Sequence, residues 1–115
     1  MTDNQTRVRA IHPTTKQPIT VTAGQLHRSQ CRLMCAIVDG ATLGEAIDIV
    51  WKSPDMGISM TNLRTLQKMQ LVGWGEDDGP TLQADELYAD MREKVEAQDK
   101  HEAEVLAEIK GADNG

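Results

Sequence analysis

The alternation of apolar and polar positions changes period several times along the chain, and each change marks an element. RVRAIHPTTKQPITVTA, residues 7 to 23, places two short β-leaning runs either side of HPTTKQP, whose prolines and threonines suit a loop, so the stretch predicts a hairpin. Thr22 and Gln25 then form a T-x-x-Q capping box, and Leu26, Leu33, Met34, Ile37 and Val38 follow at helical spacing until Asp39-Gly40 ends the helix. Thr42 and Glu45 form a second box ahead of a stripe of Leu43, Ala46, Ile47, Val50 and Trp51, which stops before Ser53-Pro54.

After the turn SPDMG, Ser59 suits the N-cap of a third helix, with Ile58 and Leu63 as a hydrophobic staple and Met60, Leu63 and Leu66 facing inward. Leu71 to Trp74 changes to a strand period, Glu76-Asp77-Asp78-Gly79 supplies a turn, and Pro80 to Leu82 returns as a second strand. From Ala84 to Lys110 runs a long polar helix with apolar positions at 87, 88, 91, 95, 105, 106 and 109, and with Gln98 and Glu102 where the stripe should continue.

Composition sharpens this picture in two places. Phe is absent, so the core rests on Leu, Ile, Val, Met and Ala, with Trp51 and Trp74 expected as its large anchors. The net charge of −6 opposes a nucleic-acid role taken as an average, yet residues 1 to 75 carry eight Lys/Arg against five Asp/Glu, while residues 76 to 115 carry four against thirteen. The acidity belongs to the tail. No apolar run is long enough for a bilayer, and MTDNQTRVR has no apolar stretch after its charges, so the expectation is a cytoplasmic protein. Length allows one core: an N-terminal hairpin or arm over 1–21, a core over 22–83, and an acidic C-terminal helix and tail over 84–115.

QLHRSQCRLMCAIVDGATLGEAIDIV, followed by LRTLQKMQLVGW and GEDDGPTLQADEL, resembles the winged helix-turn-helix domains of MarR-like and related prokaryotic and phage regulators. The resemblance covers about residues 22 to 95, with Gln70 standing where the family has glycine before Leu-Val. It implies a winged helix-turn-helix, which with the N-terminal β-hairpin and the long C-terminal helix read from the residues makes a mainly α fold with a small β component (α+β). It also implies a small transcriptional regulator that binds double-stranded DNA as a homodimer, with the third helix, about 59 to 70, in the major groove.

On that helix Thr61, Thr65 and Lys68 point away from Leu63, flanked by Asn62 and Arg64, with Ser59 at the N-terminus; these side chains suit base edges and phosphates. Arg28 and Arg32 on the first helix and Lys52 after the second are candidate phosphate contacts. Arg7, Arg9 and Lys16 offer arm contacts, and Leu87, Met91 and Val95 are candidate dimer contacts, with packing on the domain itself as the alternative.

The three carboxylates Glu76, Asp77 and Asp78 at the wing tip oppose phosphate. They support a rival reading, a protein-interaction module of the phage inhibitor or adaptor type, which would bind a protein partner through its acidic wing and C-terminal helix. His27, Cys31 and Cys35 fall at i, i+4 and i+8, spanning about 12 Å, too far for one ion. No metal or cofactor is expected, and the cysteines read as small apolar groups at the edge of the core. Nucleophile, phosphate-loop and HExxH arrangements are lacking, so the sequence does not read as an enzyme.

Overall fold

The computed structural model describes residues 6–73, 79 and 82–113. The N-terminal runs pair as an antiparallel two-stranded sheet, β1 (Val8–Ile11) with β2 (Pro18–Val21), in the register Val8 to Val21 and Ile11 to Pro18. Between them His12 turns its Nδ1 back to accept from the amides of Thr14 and Thr15, both at 3.1 Å, which folds the loop locally. Val8, Ala10 and Val21 are buried in the common core, so the hairpin is a wall of the domain, not a projecting arm.

Helices follow: α1 (Arg28–Val38), α2 (Leu43–Trp51), α3 (Met60–Lys68), α4 (Leu82–Glu86) and α5 (Tyr88–Asp113). The protein is thus mainly helical with one small antiparallel sheet. The first helix begins later than the sequence suggests. Thr22 and Gln25 bracket only a single 3-10 turn, Ala23–Gln25, with the Thr22 amide donating to Gln25 Oε1 at 2.9 Å. Leu26 is extended, and a second cap, His27, starts α1: its Nδ1 accepts from the Ser29 amide at 3.1 Å while Gln30 Oε1 accepts from the His27 amide at 2.7 Å. Two capping signals five residues apart therefore serve two successive elements.

α2 carries the Thr42/Glu45 box, with both reciprocal bonds formed at 2.9 and 3.2 Å, and Ser59 Oγ caps α3 by accepting from the Asn62 amide at 3.0 Å. The end of α3 places a glutamine where the backbone conformation favours glycine. Gln70 adopts a left-handed φ of 63°, its amide donates to Gln67 O at 3.0 Å, and Leu71 donates to Leu66 O at 3.1 Å, which is a Schellman ending. A side chain there opposes the left-handed backbone. Gln70→Gly is expected to raise stability by about 0.5 to 1 kcal/mol in urea unfolding, and Gln70→Val to lower it.

The expected second strand of the wing is corrected in part: Leu82 is the first residue of α4, and Trp74 to Asp78, Pro80 and Thr81 lie outside the described residues. The long C-terminal helix is broken at Leu87 into α4 and α5. α5 lies along α1, and Leu87, Met91 and Val95 belong with Leu33, Met34, Leu66 and Leu71 to one buried cluster. Apolar burial of this kind is the main stabilising term.

Two sequence expectations about large side chains fail. Trp51 is 62% exposed and Met60 is 60% exposed. In α2 the positions that reach α1 are Leu43, Ala46 and Val50, a narrow stripe that leaves Ile47 at its edge and Trp51 outside it. In α3 Leu63, Leu66 and Gln67 fill the inward face, and Met60, at the first position, stays in solvent.

Candidate nucleic-acid interface

α3 is positioned by buried polar groups as well as by leucines. Gln30, 5% exposed, uses its Oε1 in the cap of α1 and donates from Nε2 to the Asn62 carbonyl at 3.0 Å, tying α1 to the first turn of α3. Gln67 donates to the Gly73 carbonyl at 3.1 Å and holds the chain that leaves the helix. With that seam fixed, Thr61, Arg64 and Lys68 emerge exposed, as does Ser59, whereas Asn62 and Thr65 are half-buried beside them. MTNLRTLQK contains no carboxylate, so the helix carries two cations and no acid of its own.

Arg28 and Arg32 do not join this surface. Both turn toward Asp55, in the turn between α2 and α3, whose carboxylate is 2% exposed. Arg28 gives its Nε to Asp55 Oδ1, and its Nη1 to Gln98 and Glu102, each at 2.7 Å; Arg32 gives its Nε to Asp55 Oδ2 at 2.6 Å. Arg32 also makes a bidentate pair with Asp99 at 2.6 and 3.1 Å. Its hydrogen bonds hold the Asp99 carboxyl below the usual carboxylate range. The two arginines expected at phosphates are thus engaged by carboxylates of their own chain, and a duplex would have to displace the desolvated Asp55 and, at Arg32, the bidentate Asp99 to reach them. Five residues before Asp99 on α5, Lys94 donates to the carbonyls of Ala23, Gly24 and Leu26, satisfying the end of the 3-10 turn.

Lys52 remains exposed, with its ammonium 2.9 Å from Asp48 one turn earlier, a surface pair of small energetic consequence. Arg7, Arg9 and Lys16 are exposed on the hairpin. Leu87 and Met91 are fully buried and Val95 nearly so within one chain, which is the packing on the domain itself that stood as the alternative to dimer contacts. The acidic wing tip expected at Glu76 to Asp78 falls outside the described residues.

Cys31 and Cys35 are buried free thiols, and burial pushes them up to about 11 and about 12. Cys31 donates to the Ala23 carbonyl at 3.7 Å. Thiols so far from ionising are poor metal ligands and nucleophiles. Among the described residues no group of three or more His, Cys, Asp or Glu side chains converges on a metal-sized site, and no helix is long and apolar enough to cross a membrane.

Sequence reasoning missed Asp55 as a hub. The available signal was indirect: two arginines four apart on an otherwise buried helix, and Gln98, Asp99 and Glu102 grouped where the α5 stripe turns polar. Comparison with known proteins adds no relative, since no family model, curated protein or solved structure matches the chain.

Proposed function

We propose that this protein is a small winged helix-turn-helix regulator that binds double-stranded DNA, with α3 in the major groove. The observation that carries the reading is the outward face of α3, where Thr61, Arg64 and Lys68 are exposed on a helix without carboxylates while the chain as a whole is acidic. Threonine, arginine and lysine are the donors and methyl-bearing groups that base edges and phosphates accept. Asn62 and Thr65 border that face, and the exposed Lys52 at the end of α2 is a further candidate phosphate contact. Support for the architecture comes from the order of elements: two capped helices, the SPDMG turn, an L-x-x-L helix, and a Schellman ending at the point where the wing would start.

The test is anisotropy titration of the full chain against random-sequence duplex at low salt. Affinity should fall steeply as salt rises, and Arg64→Ala and Lys68→Ala should each flatten the log-log salt slope by about one. Indifference of affinity to both substitutions would overturn the reading. Selection from a random library then measures whether a particular sequence is preferred.

A second reading, a protein-interaction module, draws on a different observation. Trp51, Met56 and Met60 stand 62%, 74% and 60% exposed around the turn that leads into α3. Exposed apolar groups in a cluster mark contact surfaces more often than chance. Absence of any duplex binding at low salt would favour it.

A further inference from the structure

Among the described residues, exposed large apolar side chains other than Ile49 occur at two places in the fold, and Arg28 links them. The first is the α2 to α3 turn: Trp51 lies over Gly57, where an added Cβ would meet its ring at 2.9 to 3.1 Å, and Met56 and Met60 flank that glycine in the chain. The second is the far part of α5, where Val105 and Leu106 are exposed one turn beyond Glu102. Arg28 joins them, because it holds Asp55, the neighbour of Met56, and Glu102 at the same time.

The charges around the two places are opposite. Met60, Arg64 and Lys68 follow one another at helical spacing, so the turn is bordered by two exposed cations. Val105 and Leu106 are bordered by the exposed Glu104 and Glu108. An isologous contact needs each of two patches to meet the other across a twofold axis. Two complementary patches, joined by a shared node, meet that requirement with both contacts made at once.

We propose that a second copy of this chain occupies this surface, forming a twofold dimer in which Val105 and Leu106 of each copy cover Trp51, Met56 and Met60 of the other. Glu104 and Glu108 then face Arg64 and Lys68 across the interface. This goes beyond the DNA reading and stands without it. Where both hold, duplex and partner copy compete for Arg64 and Lys68, so DNA binding favours the monomer.

Sedimentation of the full chain from micromolar to sub-millimolar concentration should show a mass rising from 12.7 kDa toward twice that value. Met56→Glu and Leu106→Glu, both at exposed positions, should hold the chain at the monomer mass with an unchanged helical spectrum. A charge exchange gives the decisive result. Chains with Arg64→Glu and Lys68→Glu, or with Glu104→Lys and Glu108→Lys, should each stay monomeric alone and pair one-to-one when mixed. A monomer at every concentration, a dimer indifferent to Met56→Glu and Leu106→Glu, or mixed chains that fail to pair would overturn the proposal. None of these results depends on DNA, so the regulator reading stands or falls by its own titration.

Discussion

Replacing Asp55 by alanine is expected to lower stability by about 3 kcal/mol, shifting the thermal midpoint down on the order of 10 °C. The reason is asymmetric. Asp55 is 2% exposed and neutralises two guanidiniums that are themselves 21% and 12% exposed. Removing it leaves two like charges one helical turn apart with little water to replace the carboxylate, whereas Asp99 and Glu102 reach only one arginine each. The lower end of the range for broken buried pairs applies because the arginine tips retain some solvent. Urea unfolding monitored by circular dichroism measures the loss. Adding Arg28→Met and Arg32→Met to the Asp55→Ala chain should recover most of it, since an apolar triad has no stranded charge. A loss within about 0.5 kcal/mol for Asp55→Ala alone would mean that the network contributes nothing to the folded state.

Met91→Ala is expected to cost between about 2 and 5 kcal/mol, because Met91 is fully buried where α5 meets α1 and its truncation leaves a cavity between packed helices. The loss should be the same at every protein concentration. A residue in a subunit seam behaves otherwise, since its contribution follows association and the midpoint then moves with concentration. Leu106→Ala, at a position 59% exposed, serves as the control and should fall within about 0.5 kcal/mol at concentrations where the chain is monomeric. Concentration dependence of the Met91→Ala loss would instead place Met91 in the dimer seam that the sequence suggested.

Much of the architecture was readable because it rests on short-range chemistry. The hairpin around HPTTKQP, the Thr42/Glu45 box, the Ser59 cap and the ends of α2 and α3 are decided within a few residues, and all of them form. The start of α1 was misplaced because Thr22/Gln25 and His27/Gln30 are both local capping signals, and only tertiary packing assigns the first to a 3-10 turn. The choice between core and surface for Trp51 and Met60 was also tertiary. Helical periodicity gives a direction, but how far a neighbouring helix extends decides whether that direction is covered.

For the site, the direction of Leu63 placed Thr61 and Lys68 on the exposed face of α3, but it placed Thr65 there too, which is half-buried, and left the exposed Arg64 at the flank. The fate of Arg28 and Arg32 was not legible, since their partners lie 23 to 74 residues away: Asp55 in a turn, and Gln98, Asp99 and Glu102 on α5. The interruption of the α5 stripe at Gln98 and Glu102 reads in sequence as the place where the helix leaves the domain. In the fold those positions change the kind of contact, from apolar packing at Met91 and Val95 to hydrogen bonds and ion pairs with Arg28.

The depth at which Cys31 sits has a practical corollary. A thiol held near 11 is ionised in only about one molecule in ten thousand at neutral pH, and alkylating reagents attack the ionised form. With no exposed surface of its own, Cys31 becomes available to such a reagent only when α1 parts from its neighbours. The native residue therefore acts as a clock: the rate at which an alkylating dye marks it reports how often the interior opens, with no probe added to the chain.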